Sequence, residues 1–480
     1  MIHIIGGGLA GSEAAWQAAS RGVPVILHEM RPQRPTEVHR TDRLAELVCS
    51  NSFRGDKLDN AVGLLKEEMR RAGSLIMRAA DAARVPAGAA LAVDRDRFAM
   101  VVTDTLSEHR GITIVREEVP RLDTLLDGRT PVIVATGPLT SESLSTDIAR
   151  FVGHDHLYFY DAISPIVLAE SLDMNRVFRA SRWNRSLRER PAAGCRLPTL
   201  RRSSGPTVSA VEPPAVDRAC TIDDGHGDYL NCPLNKEEYD RFYDAVITAE
   251  SATVHDFDTE KFFEGCLPIE VMAHRGPDTL RFGPMKPVGL ADPRTGRQPY
   301  AVVQLRQDNL AGDHYSLVGF QTQLKWGEQA RVLRLIPGLD HAEFVRFGMV
   351  HRNTYINGPT VLIETWQTRV RADLFFAGQI SGVEGYVESA ASGLMAGRHA
   401  AAIVRGEQPR LPPRSTALGA LAYYVSHADP RNYQPTNMTF GIMEPAPNPP
   451  RDKQARKLAI SERALRDVER WLAGQDTAAA

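Results

Sequence analysis

The sequence predicts an α/β protein built on a parallel sheet, and three stretches carry that reading. Ile2-His3-Ile4-Ile5 is a short β-branched run of the kind that forms strands buried on both faces. It leads directly into Gly6-Gly7-Gly8-Leu9-Ala10-Gly11, where Gly6, Gly8 and Gly11 fit a G-x-G-x-x-G spacing. Two later apolar runs, over 131–135 and 374–377, are also followed by glycine, at Gly137 and Gly378.

Each element has a physical reason. An alanine-rich helical stretch over 12–21 follows the glycines, with Gly22 as its stop. Residues 23–29 read as the second strand and end in an acid, Glu29. In a dinucleotide site Gly6 permits the tight turn and Gly8 lets backbone N–H groups approach a pyrophosphate. Gly11 lets helix and strand pack closely. The helix N-terminus adds partial positive charge, and Glu29 is placed to accept hydrogen bonds from ribose hydroxyls. A purely structural glycine turn would explain the glycines, but not a strand, a helix and an acid in this order.

The fingerprint alone does not separate FAD from NAD; the later segments favour FAD. Ala135-Thr136-Gly137 is a strand end that recurs in two-dinucleotide-domain flavoproteins. Gly378-Gln379 leads into a small-residue helix start over 382–393, which would aim its N-terminus at the flavin or the phosphates. The expectation is a Rossmann-like FAD-binding domain of the glutathione-reductase type with an inserted α+β domain. Its cofactor-binding candidates are Gly6, Gly7, Gly8, Leu9, Ala10, Gly11, Glu29, Gly137, Gly378 and Gln379. No second G-x-G-x-x-G occurs, so no dedicated nicotinamide domain is expected.

The chain of 480 residues is long enough for two or three cores. We divide it into a first part of the FAD domain at 1–150, an inserted domain at 151–330, the closing part of the FAD domain at 331–405 and a helical C-terminal region at 406–480. Within the insertion, 185–225 is rich in Arg, Pro and Ser without periodicity and reads as a disordered loop rather than an RNA-contacting arm. Helical spacing with mixed charge over 453–472 predicts an exposed helix. A net charge of −2 excludes a global electrostatic signal for nucleic acid, so any RNA must be held by a local basic surface. No apolar run reaches the roughly 20 residues that span a bilayer, and no charged leader precedes the first strand. A cytoplasmic protein without a membrane partner is expected; the oligomeric state is left open, a monomer being the simplest case. The five cysteines, Cys49, Cys195, Cys220, Cys232 and Cys266, make no Cys-x-x-Cys pair, so no metal site is expected and the thiols should be free.

Longer motifs carry a resemblance. Leu47-Val48-Cys49-Ser50-Asn51-Ser52-Phe53-Arg54, the run over 60–70, Val85-Pro86-Ala87-Gly88, Leu91-Ala92-Val93-Asp94-Arg95 and the run over 157–165 all take part. So do Phe263-Glu264-Gly265-Cys266-Leu267-Pro268-Ile269-Glu270, Leu324-Lys325-Trp326-Gly327-Glu328-Gln329, the run over 351–357 and Gln434-Pro435-Thr436-Asn437. Together they resemble the folate- and FAD-dependent tRNA (uracil-5-)-methyltransferase family over nearly the whole chain. Two departures stand out: Ala89 replaces a glycine usual in that family, and 185–225 has no counterpart in it.

The resemblance implies FAD as cofactor, methylenetetrahydrofolate as carbon donor, NAD(P)H as reductant, and the T-loop uridine at tRNA position 54 as acceptor. It implies that Cys266 attacks uracil C6. Cys49 would sit near the flavin, guarding the intermediate or sharing the acid–base work. A free thiol has a pKa of about 8.5, so each needs a positive neighbour; Arg54 and Arg275 are the candidates by chain proximity. Cys232 is read as structural. Lys286, Lys325, Arg331, Arg334, Arg346 and Arg352 lie in or near the motifs and are candidate RNA contacts. Two alternatives remain at this point: a related FAD-dependent tRNA wobble-uridine modification protein, and a flavin-binding module without transferase activity.

Overall fold

The computed structural model describes residues 1–36, 38–153, 157–162, 164–184, 227–251, 267–446 and 449–474. The 185–225 stretch, Cys195, Cys220 and Cys266 fall outside those residues.

Five strands form one all-parallel sheet in the order Leu374–Phe376, Val132–Val134, Ile2–Ile5, Val25–His28 and Ile112–Val115. Burial on both faces explains their near-continuous apolar character, with Ile2, Ile4, Leu27, Ile133 and Phe375 fully inaccessible. The first helix, Leu9–Ala19, begins three residues earlier than its alanine run suggests, because Gly8 already serves as its N-cap. Gly22 adopts φ +76, the left-handed conformation that ends a helix cheaply only in glycine.

The late helix Tyr386–Val404 lies directly against the first. A Cβ at Gly393 would stand 2.1 Å from the Ala10 carbonyl oxygen, and one at Gly397 would stand 2.4 Å from that of Ala14. The small residues of 382–397 are therefore a packing requirement as well as a helix start. A second contact ties in the C-terminal region. Glu68, buried in the helix Ala61–Arg71, accepts the backbone N–H groups of Ala417 and Leu418 and so caps the helix Ala417–His427. The last helix, Lys453–Leu472, has the bounds expected from sequence but is not exposed all round. It buries Ala464, Leu465, Val468 and Trp471 in the same core.

A second sheet of six antiparallel strands runs Phe178–Ala180, Tyr229–Leu234, Ala301–Gln307, His314–Leu317, Ile166–Leu168 and Phe344–Arg346. Its last strand lies past residue 330. One face covers a separate core that includes Leu230, Cys232, Leu305 and Leu317. Burial pushes the Cys232 thiol up to about 12, the behaviour of an inert packing group. The opposite face faces the parallel-sheet domain. Register places Ala180, Tyr229, Arg306, Ser316, Ile166 and Arg346 on one rung across all six strands. Paired residues in a ladder share a face, so Arg306 and Arg346 project from the same side.

Candidate active site

A cavity of about 420 Å³ opens where the parallel sheet, the loop after its second strand and the six-stranded sheet meet. Gly6, Gly7, Gly8, Leu9 and Ala10 line one end of it, and Glu29 lies beside them. Gly6 has φ +100, and a Cβ there would be 2.6 Å from the Ala135 carbonyl oxygen, so only glycine makes this turn. Gly11 does not line the cavity; a Cβ on it would stand 1.8 Å from the Gly6 carbonyl oxygen, which makes it a packing glycine. Gly8 is different, because a Cβ there would meet nothing within 4 Å. Its backbone faces open space, and the first helix has no side-chain cap on its N–H groups. A backbone cradle with free N–H groups and room at its centre fits a pyrophosphate.

Glu29 sits where the second strand ends. Its Oε2 accepts the Gly7 N–H at 2.9 Å, and its Oε1 accepts both the backbone N–H and the Nε of Arg31. Burial alone would raise its pKa, but the Arg31 hydrogen bonds and charge hold the carboxyl below its ordinary value. The acid is thus an ionised acceptor at the edge of the cradle, the state a ribose diol requires. Gly137, Gly378 and Gln379 line the same cavity. Gly378 takes φ +77 and donates its N–H to Ser392 Oγ at 2.7 Å, while Gln379 donates to Glu384. These residues fit an FAD.

Cys49 lines the cavity too, and its loop is held from three sides. The hydroxyl oxygen of Tyr386 accepts the backbone N–H groups of Cys49 and Ser50. Arg306 donates to Asn51 Oδ1 at 2.8 Å and Ser50 Oγ at 2.9 Å. Arg346 donates to the Val48 carbonyl at 2.7 Å, and Arg95 to that of Leu47 at 3.0 Å. Arg95 is paired with Asp308, whereas Arg306 and Arg346 have no carboxylate partner among the described residues. Burial, then the neighbouring Arg95 and Arg40, push Arg346 down to about 10, and the Cys49 side chain acts against that shift. Cys49 likewise favours the charged forms of Arg95 and Arg306.

This corrects the expectation from chain proximity. Arg54 is bound to the Glu388 carboxylate and to Asn437, so its charge is already compensated. The positive surroundings of Cys49 come from Arg95, Arg306 and Arg346. Arg95 stands in a motif quoted above, while Arg306 stands in none. Only the register of the six-stranded sheet brings it here.

Cys266 lies outside the described residues. The adjoining part of its motif is anchored beside the cavity: Ile269 donates its N–H to the Gln321 carbonyl, and Gln321 is part of the cavity wall. Glu270 accepts from Gln323 N–H and Thr322 Oγ1, and burial pushes it up to about 7. Arg275 caps the C-terminus of the short helix Ile269–His274. Among the described residues no group of three metal-ligating side chains occurs, and no helix is long and apolar enough to cross a membrane.

Comparison with known proteins places the chain among related sequences. The family model described as glucose inhibited division protein A matches residues 1–197 and 215–408. The methylenetetrahydrofolate--tRNA-(uracil-5-)-methyltransferase TrmFO of Desulforudis audaxviator is 53% identical over 472 residues, covering 98% of both chains. The Moorella thermoacetica protein of the same name is 54% identical over 464 residues, 97% of this chain and 96% of its own. Among solved structures, GidA of Aquifex aeolicus in its form II crystal covers 98% of this chain and 73% of its own, with a TM-score of 0.66 at 16% identity. That likeness shows a shared fold.

Proposed function

The chain belongs to the glucose inhibited division protein A family and, within it, to the methylenetetrahydrofolate--tRNA-(uracil-5-)-methyltransferases; from that premise we propose how its residues serve the reaction. The enzyme transfers a one-carbon unit from methylenetetrahydrofolate to C5 of a uridine in tRNA. It works with FAD, and NAD(P)H is the reductant. The acceptor is the T-loop uridine at position 54, and the enzyme acts in the cytoplasm. One observation supports this reading best. The glycine cradle, the Cys49 loop and the arginine-bearing face of the second sheet all meet in a single cavity.

FAD, when bound, would supply the two electrons, drawn from NAD(P)H, that take the transferred carbon from the methylene to the methyl level. The cradle residues Gly6 to Ala10 would hold its pyrophosphate, Glu29 its ribose, and Gly137, Gly378 and Gln379 its flavin end. Uracil C5 is a weak nucleophile, so covalent activation is required. The Cys266 thiolate adds to C6, which places electron density on C5. C5 then forms its bond to the incoming methylene carbon, a base removes the C5 proton, the carbon's bond to its carrier nitrogen breaks as a hydride reduces it to methyl, and cleavage of the C6–S bond returns the thiolate. Cys49 stands at the cavity wall for the acid–base work, its charge supported by Arg306 and Arg346. The target base is stacked in the free RNA and must be exposed first, at a cost of about a few kcal/mol.

The test is incubation of the flavin-loaded protein with unmodified tRNA, NADPH and methylenetetrahydrofolate labelled in its methylene carbon. Label recovered as 5-methyluridine in the T-loop is expected. Label at another uridine would overturn the position, and reducible flavin with no label in RNA would overturn the reaction.

A further inference from the structure

The tRNA must also be held outside the cavity, and one surface feature is built for that without being used by anything described so far. Trp326 is 62% exposed at the start of the helix Trp326–Leu333. Its ring stacks on Phe347 with centroids 6.1 Å apart and planes 17° from parallel. Phe347 stacks in turn on Phe344, at 5.0 Å and 22°. Three parallel rings step from solvent towards the edge strand of the second sheet.

The stack is held in place at some cost. Gln329 is fully buried, and its amide is shared between two backbones: Nε2 donates to the carbonyls of Leu324 and Gly348, and Oε1 accepts the Gly348 N–H at 2.7 Å. Those bonds fix Leu324, two residues before Trp326, and Gly348, the residue after Phe347, to one another.

The stack is joined to the cavity wall through the chain. Phe347 follows Arg346, whose guanidinium reaches the Val48 carbonyl in the cavity wall next to Cys49. Arg334 lies over the Phe344 ring at 5.9 Å. Arg40 is close enough to lower the Arg346 pKa, and the guanidinium groups of Arg40, Arg334 and Arg346 make no ion pair with a carboxylate among the described residues. Aromatic faces beside uncompensated guanidiniums match a nucleic acid strand, which offers flat bases and phosphates together.

We propose that Trp326, Phe347 and Phe344 form a stacking platform for an unpaired nucleobase of the tRNA, one residue along the chain from the Arg346 that holds the Cys49 loop. The proposal rests on tRNA being the substrate. It adds the surface that grips the loop while the target uridine enters, and Gln329 is the positioning residue of that surface.

The experiment compares the flavin-loaded wild type with Trp326→Ala and Trp326→Phe in direct binding of unmodified tRNA and in methylation. Trp326→Ala should raise the Kd and KM for tRNA by about 5- to 150-fold, the range for loss of one stacked base, with kcat little changed. Trp326→Phe should stay within about threefold. Flavin content and reduction by NADPH should match the wild type in both variants. A Trp326→Ala protein that binds tRNA as tightly as the wild type overturns the platform. An equal loss of binding to a fully paired RNA duplex overturns base stacking, since a duplex offers no free base. If wild-type protein binds tRNA but methylates nothing, the reaction assignment fails while the Kd comparison still decides the platform.

Discussion

The phenolic oxygen of Tyr386 accepts the backbone N–H of Cys49 at 2.8 Å, joining residues 337 positions apart in the chain. Tyr386 opens the helix that packs on the first helix of the glycine cradle, so the Cys49 loop is set relative to the cofactor end of the cavity. Tyr386→Phe leaves two N–H groups without this acceptor, at a cost of about 1–3 kcal/mol. Thermal denaturation should show that loss, and methylation should slow with FAD still bound. An unchanged rate would mean the loop is held by its arginines alone.

Two glycines of one fingerprint should behave oppositely. At Gly8 an added methyl meets open space, so Gly8→Ala should leave the stability of the cofactor-free protein within about 0.5 kcal/mol. It should nevertheless lose FAD, because the methyl occupies the place a pyrophosphate needs. Gly11→Ala drives a methyl into the Gly6 carbonyl and should cost about 3 kcal/mol or more before any cofactor is added. Flavin absorbance and unfolding of the cofactor-free forms separate the two.

The two cysteines are distinguishable by trapping. A tRNA carrying 5-fluorouridine has no C5 proton to remove, so the adduct with the attacking thiol persists. Cys266→Ala should give no covalent RNA complex and no methylation. Cys49→Ala should still form the complex while its turnover falls about 10²- to 10⁴-fold, the range for losing an acid–base group. The reverse pattern on a denaturing gel would exchange their roles.

Arg346→Met tests the electrostatics of the Cys49 loop. The thiolate is the reactive form of cysteine, and Arg346 is a buried cation beside it with no acidic partner among the described residues. The variant should slow alkylation of Cys49 by iodoacetamide at pH 7 severalfold, and Arg54→Met should not. Equal effects of the two would return the role to Arg54.

Glu270 predicts a pH dependence of stability. Its folded pKa, about 7, is raised by burial above the ordinary 4.5, so its protonated form favours folding. That contribution is complete below pH 4.5 and is lost as the pH rises to about 7. Glu270→Gln keeps a neutral acceptor for Gln323 and Thr322 and should lack this loss. Relative to the variant, the wild type should therefore weaken by about 3 kcal/mol between pH 4.5 and 7.5 in denaturant titrations. A constant difference would show that the carboxyl stays charged.

How far the sequence could be read followed the range of the interactions. Gly6, Gly8, Gly11 and Glu29 were legible because a βαβ unit places them within 30 residues. The last helix was legible in its bounds, yet the spacing of Ala464, Leu465, Val468 and Trp471 also marks an apolar stripe that the mixed charge around it obscures. The surroundings of Cys49 were not legible. Arg306 arrives through strand register more than 250 residues away, and Glu388, 334 positions after Arg54, cancels the charge that nearness in sequence suggested. Ion pairing and ladder register are properties of the folded chain, and neither leaves a local pattern.

The glycine contact between the two long helices has a consequence for how the enzyme is made. The fingerprint helix leaves the ribosome first, but Gly393 and Gly397, which close against it, are translated nearly 400 residues later. At about 5–20 residues per second, that interval is roughly 20–80 s. Throughout it, the cradle has its phosphate-facing turn but lacks the helix that seals its back. The parallel sheet lacks its edge strand Leu374–Phe376 for almost as long. Cofactor capture is therefore a late event in synthesis, and a chain cut short anywhere before residue 400 carries an intact fingerprint with no finished site behind it.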